Sequence, residues 1–447
     1  MATSALDLTM SREYEEKALE AFANTLPRHD FVPTVGFEME YSVVNAGSTS
    51  LVDEEIRDKI VAESPDLLGQ ELGAWQLEVK SKPVNLADGG FPELSGQQYE
   101  SETSAVDAAV KHQAELVRLG SFPLQRADEI RKSRSPRYQS VVNWHDSHHS
   151  GIPTSIGASH ATRPASAAIV ALMNSVQFNV AMQSVDDAIN LLNVSLAIVP
   201  QIIALSGNSR YLDRLDTRYA DTRMLMWERT HDTRTTIERL ADEPLRVGLP
   251  DRYFQDIRDY VKYVKHFPFL LNKPGAAFAV GTGLNWSDAR LKVTDNGVIL
   301  LEFRPISIQP SVEDDIAICA LYLGLLEFHR KRSASLPSLF LIKANRFFAM
   351  RDGLNAKFIE IDGNGAKRYM SASRVVAESI EKAKVGLITA GFESGVKSLE
   401  ILQRRLDAMR VPSDEFASGM QQLQGSGVSF EDALKQMVRG CVLRSGQ

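Results

Sequence analysis

Cysteine is nearly missing from this sequence: Cys319 and Cys441 are the only two in 447 residues. That excludes a disulfide framework and any CxxC zinc knuckle, and it suits a reducing, cytoplasmic setting. The common nucleotide loops are missing as well. There is no GxxxxGK[ST] segment and no GxGxxG after a strand pattern, and Gly281-Thr-Gly283 is too short to count. Gly157-Ala-Ser-His160 lacks the second glycine of a serine-hydrolase elbow. His145, His148 and His149 cluster, but no cysteine or HExxH motif accompanies them, which speaks against zinc. There is no excess of positive charge: the formal net charge is −7, which argues against a broad nucleic-acid surface. No apolar secretory core opens the chain, because Glu13, Glu15, Glu16 and Glu20 interrupt it. One long hydrophobic run, 188–205, is broken by Asn190, Asn193, Pro200 and Gln201 and reads as a buried helix rather than a membrane span. The partners expected are therefore small molecules, with neither nucleic acid nor membrane; the sequence is compatible with a homo-oligomer.

What is present suits a globular protein with a sizeable core, with 44% hydrophobic and 24% charged residues. Periodicity predicts helices over 11–26, 52–64, 97–120, 251–267 and 312–330, and a mainly helical part from about 371 to 440. Alternation predicts strands over 34–44, 74–83, 174–181 and 297–305. Asp362-Gly-Asn-Gly365 predicts a hairpin. The stretch 132–168, rich in Ser, His, Pro and Gly, reads as long loops and as a candidate lid. The whole chain reads as one α+β domain, with a mostly antiparallel sheet, one face open and helices on the other.

The strands carry an unusual load. Alternation puts Glu38 and Glu40 on one face of the first strand, with Phe37, Met39 and Tyr41 on the other. The same pattern places Glu78 on the second strand, Gln177 and Asn179 on the third, and Glu302 with Arg304 on the fourth. Glutamate is depleted in strands, and carboxylates converging on one face repel unless cations lie between them. Hard oxygen ligands select magnesium or manganese, and clustered carboxylates holding magnesium point to nucleotide phosphates. Arginines complete such a site, because their fork matches phosphate oxygens. Candidates are Arg304, the arginine-rich stretch 211–234, and Arg346 and Arg351. In 211–234 acids are interleaved, and surface ion pairing is the plainer reading for Arg214 and Arg234.

Taken in order, these segments resemble the glutamate–cysteine ligase family, in the branch of plant and proteobacterial glutamate–cysteine ligases and bacterial carboxylate–amine ligases. Val35-Gly-Phe-Glu-Met-Glu40, Gln76-Leu-Glu78, Ser175-Val-Gln-Phe-Asn-Val180 and Leu301-Glu-Phe-Arg304 resemble its acidic and Glu-x-Arg strands. Ala204-Leu-Ser-Gly-Asn-Ser209 with Asp216–Arg223 and Trp227 is similar to its ANSP…GY…R…W stretch, and Asn345-Arg346 and Arg351-Asp-Gly-Leu354 to a late one. The resemblance implies a glutamine-synthetase-like fold, a curved sheet forming a funnel with helices outside. It implies ATP with magnesium or manganese, an acyl phosphate, and an amide product, γ-glutamyl by analogy. It further implies metal ligation by Glu38, Glu40, Glu78, Gln177 and Glu302, and catalysis by Arg304 and Glu302. Nucleotide contacts fall on Arg223, Arg304, Arg346 and Arg351, and substrate contacts on Arg218, Tyr219, Trp227 and Asn179. The sequence departs from the pattern at Gln177-x-Asn179, where many bacterial carboxylate–amine ligases carry His-x-His, and at Arg218-Tyr219, where the family usually carries Gly-Tyr. A sibling ligase using another acid or amine and a non-catalytic scaffold are the alternatives.

Overall fold

The computed structural model describes residues 5–25, 27, 31–87, 89–148, 154–156, 161–163, 166–271, 273, 275–330, 336–362 and 364–444. Its centre is an eight-stranded antiparallel sheet. The strands are β1 (Thr34–Asn45), β2 (Leu68–Gln70), β3 (Gln76–Lys80), β4 (Val84–Asn85), β5 (Ala114–Val117), β6 (Ser175–Ala181), β7 (Ala289–Val293) and β8 (Ile299–Ser307). The order across the sheet is β7-β8-β6-β1-β3-β2, and β4 and β5 also pair with β1.

The apolar side chains set the register. Phe37 of β1 lies opposite Phe178 of β6, and Phe178 lies opposite Phe303 of β8. All three rings are buried, with Phe37 and Phe178 edge to face at 5.1 Å. Phe303 stacks on Tyr322 at 4.3 Å. Because side chains alternate, this alignment also decides the other face: Glu38 is paired with Gln177, and Asn179 with Glu302. A slip of one residue would exchange the two rows, phenylalanine for charge, so the register is strongly specified.

Behind the phenylalanine row lie helices α1 (Gly90–Lys111), α3 (Val185–Ala197) and α5 (Val312–Arg330), with the helix Ala372–Ala390 packed outside α5. In front stand α2 (Pro136–His148) and α4 (Arg223–His231). The helices Ser394–Ala408, Pro412–Gly425 and Phe430–Gly440 complete the expected helical end, and the expected hairpin joins Lys357–Ile361 to Lys367–Ser371.

Four expectations are corrected. The helix expected over 97–120 ends at Lys111; Gln113 takes a left-handed φ of 55°, and the chain returns as β5 beside β1. The first helix spans Ala5–Ala23 rather than 11–26. The run 188–205 is not one helix but Val185–Ala197 and Val199–Ser206, bent by 52° and buried within the protein. No single helix among the described residues is long and apolar enough to cross a membrane. The supposed loops of 132–168 contain α2, where Tyr138, Val141, Val142 and His145 recur at helical spacing, with both valines and His145 buried. Composition averaged over the whole stretch hid that face. His149 and most of 149–165 lie outside the described residues, and with them that part of the lid reading.

Candidate active site

The concave face of the sheet floors a cavity of about 430 Å³. From the strands come Glu38 and Glu40 (β1), Glu78 (β3), Gln177 (β6), Arg290 and Lys292 (β7) and Arg304 (β8). Glu71, in the turn between β2 and β3, joins them, and α2 contributes Arg137 and Tyr138. An aromatic wall closes one side: Trp227 stacks on His231 at 4.7 Å, and His231 meets Trp286 at 5.2 Å.

Charge is segregated along this floor. On the β1–β3–β2 side, carboxylates crowd together. Burial, then Glu78 and Glu40, push Glu71 up to about 8. Burial and then Glu38 push Glu78 to about 7, against the partial relief of Lys80 at 3.1 Å. Glu40 is raised by burial, although Arg223 and the Ser175 backbone N–H, 2.8 Å away, oppose the shift. Gly69 of β2 lies opposite Glu78 of β3; a Cβ there would lie 3.0 Å from its carboxylate oxygen.

On the β7–β8 side the balance reverses. Glu302 is fully buried, and Arg290, Lys292 and Arg304 all contact its carboxylate, Arg304 at 3.2 Å. Burial alone would raise it; the three cations hold it well below the usual carboxylate range. The Arg290 guanidinium is fixed further by donating to the carbonyls of Thr282 (2.8 Å) and Asn285 (2.9 Å). Arg304 is followed by Pro305. Proline has no N–H for the ladder, the β8–β6 register shifts between Phe303 and Ile306, and such bulges re-aim neighbouring side chains. The Arg304 guanidinium donates to Gln177 Oε1, and Arg223 donates to the Arg304 carbonyl at 3.1 Å.

The curl of the sheet joins the two sides. Lys292 Nζ lies 3.2 Å from Glu38 Oε1. In the strand order, β7 and β1 are three spacings apart, about 14 Å in a flat sheet. The contact therefore reports a strongly concave floor.

The expected residues divide accordingly. Glu38, Glu40, Glu78, Gln177, Trp227 and Arg304 line the cavity. Asn179 stands at its edge, donating to Glu38 at 3.1 Å, and its buried Oδ1 has no partner among the described residues. Glu302 lies beneath the floor, surrounded by protein cations. Arg223 is buried behind Arg304. Four residues are not brought in. Arg346 is buried against Asp288, at 3.0 Å through Nη2, and against Glu228, in a separate cavity behind α4. Arg351 is half exposed and paired with its neighbour Asp352. Tyr219 is buried against the Phe347 ring. Arg218 is exposed, with a left-handed φ of 63°. The structure adds Glu71, Arg290, Lys292, His231 and Trp286. Arg290 and Lys292 were visible in principle, because Ala-Arg-Leu-Lys-Val alternates as a strand with both cations on one face. Glu71 carried no such signal.

The crowded half has the donor chemistry of a site for a hard cation: carboxylate oxygens that repel one another in a partly desolvated cleft. Among the described residues no three His, Cys, Asp or Glu side chains converge closely enough to hold an ion alone. Magnesium commonly takes one or two carboxylates and fills its shell with water and substrate phosphate, and this half suits that mode.

The model of the family described as glutamate–cysteine ligase family 2 matches residues 34–422. A curated relative provisionally named glutamate–cysteine ligase 2, from Chloroflexus aurantiacus, is 22% identical over 362 residues, 79% of each chain. Another so named, from Rhodopirellula baltica, is 24% identical over 302 residues, 66% of this chain and 68% of its own. Among solved structures, a glutamate–cysteine ligase of Francisella tularensis in complex with AMP has a TM-score of 0.60 at 14% identity, covering 93% of this chain and 89% of that one. A bifunctional glutathione synthetase of Pasteurella multocida has a TM-score of 0.58 at 11% identity, with 97% of this chain matched to 54% of that one. The curled α+β fold is shared with both, and the match over most of the length places this chain in glutamate–cysteine ligase family 2.

Proposed function

We propose that this chain is an ATP-dependent ligase that joins the side-chain carboxylate of glutamate to an amine through an acyl phosphate, releasing ADP and phosphate. The observation that carries the reading is the divided cavity: a basic end made by Arg290, Lys292 and Arg304 beside an acidic end made by Glu38, Glu40, Glu71 and Glu78. Family membership and the likeness to a ligase solved with AMP support it.

The chemistry follows from the charges. A free carboxylate is a poor electrophile, so its oxygen must first take the γ-phosphoryl group while ADP leaves. The amine nitrogen then bonds to the acyl carbon, the bond to the phosphate oxygen breaks, and the nitrogen loses a proton. Arg304, with Lys292 and Arg290, stabilises the charge on the transferring phosphoryl group. Glu40 and Glu78 would hold magnesium, which neutralises phosphate charge when bound. The wall of Trp227, His231 and Trp286 limits water around the activated acid, which otherwise hydrolyses.

The test is phosphate release from ATP with magnesium, glutamate and a panel of amines. Release should be slow with glutamate alone and should rise sharply with the right amine, giving ADP and an amide. AMP with pyrophosphate would replace the acyl phosphate by an adenylate. No release with any amine, with glutamate or related acids, would overturn the ligase reading.

A further inference from the structure

The two acids that alternation places on one face with the others, Glu38 and Glu302, are bridged by a lysine. Lys292 Nζ lies 3.2 Å from Glu38 and also contacts the Glu302 carboxylate. Its side chain is 24% exposed, so it reaches the cavity while its head is held between the two acids. Glu302 already faces the guanidinium groups of Arg290 and Arg304. One negative charge thus meets three positive ones in a buried setting. A divalent ion between the two carboxylates would have to displace the ammonium, because the two cations cannot share that position at short range in a poorly solvated place. At the opposite end of the floor, among the described residues, Glu40 and Glu71 have no ion pair and Glu78 has one, with Lys80, although Arg137 and Arg223 lie near.

We infer that Lys292 is a built-in cation of the site: its ammonium takes the position between Glu38 and Glu302 that a divalent ion would otherwise fill. Divalent ions are then confined to the Glu40 and Glu78 end, and Glu302 anchors the basic end instead of ligating metal. A lysine suits this role because its ammonium is a compact point charge on a long stem, able to reach across the curl from β7 to β1. The inference rests on the proposed divalent-ion chemistry of the acidic end, and the experiment separates the two.

The probe is Mn2+, counted per chain by electron paramagnetic resonance of free ion and by equilibrium dialysis, in metal-stripped wild type, Lys292→Gln and Lys292→Arg. The glutamine variant should bind one Mn2+ more per chain than wild type, and the arginine variant the same number as wild type. Equal numbers in wild type and Lys292→Gln overturn the inference while leaving the ligase reading intact. No Mn2+ on wild type but one on Lys292→Gln upholds the place of the ammonium, and it overturns the confinement of divalent ions to the Glu40 and Glu78 end together with the metal of the proposed function. A second measurement needs no variant. Acetylation of Lys292 in wild type, followed by mass spectrometry against exposed Lys17, should be equally low with and without saturating Mn2+. Labelling that climbs when Mn2+ is added means that the metal displaces the ammonium, and overturns the inference.

Discussion

Glu78 and Glu302 stand on the same concave face of one sheet, and burial pushes both carboxyls in the same direction, yet they end at opposite extremes. Glu78 is raised to about 7, whereas Glu302 is driven well below the ordinary range. The difference lies in the company each keeps. Glu78 has Glu38, Glu40 and Glu71 for neighbours and one partly exposed lysine. Glu302 has Arg290, Lys292 and Arg304. A strand glutamate is thus not one kind of site; the charges around it decide whether it seeks a cation or has already found one.

The comparison is broken most forcibly by Glu302→Gln, which leaves three cations around a neutral amide in a buried place. Removing one partner of a buried ion pair destabilises by about 3–5 kcal/mol, so the urea midpoint should fall steeply. A midpoint equal to wild type would mean that water already neutralises the basic end. Next in size is Arg304→Lys, which keeps charge but loses the fork that reaches Glu302 and Gln177. Turnover should drop by roughly 10²–10³-fold, the usual loss when one preorganised donor is removed, with an unchanged circular dichroism spectrum. Near-normal turnover would make Arg304 a purely structural residue.

The third prediction separates the halves by pH. Glu71 and Glu78 have raised values in the folded chain, so the stability they contribute is full below the ordinary carboxylate value of 4.5 and is lost as pH rises towards about 8. Glu302 has a lowered value, so its contribution is present above 4.5 and is lost only in strong acid. Metal-stripped protein should therefore lose stability progressively between mild acid and pH 8, and magnesium should restore it. A flat urea-midpoint profile across that window would show that the acidic end is solvated. Smallest is Arg351→Ala. That arginine lies outside the cavity, half exposed and paired with Asp352. Stability should move by less than about 0.5 kcal/mol, and the Michaelis constant for ATP should hold; a tenfold rise would bring Arg351 back into nucleotide binding.

Much of the site was legible because strand alternation is a local property. Phe37, Met39 and Tyr41 against Glu38 and Glu40 declare two faces within a few residues, and the structure keeps those faces. Arg346 shows where that reading fails. Nothing near it in sequence announces Asp288, yet that carboxylate lies 3.0 Å away and commits the arginine to structure. Helix α2 was hidden by the serines and histidines around it, although Tyr138, Val141, Val142 and His145 carried the helical period. Glu71 lies in a turn with no periodicity at all, and only the fold sets it beside Glu78 and Glu40.

The order of acidic strands and the apolar backs that bury them were determined by the sequence alone, because both follow from a period of two and a register in which Phe37, Phe178 and Phe303 must align. The sign of each carboxylate's surroundings was decided only in three dimensions. Lys292 meets Glu38 across three strand spacings because the sheet curls, and curvature is a property of the whole sheet, which no single strand encodes.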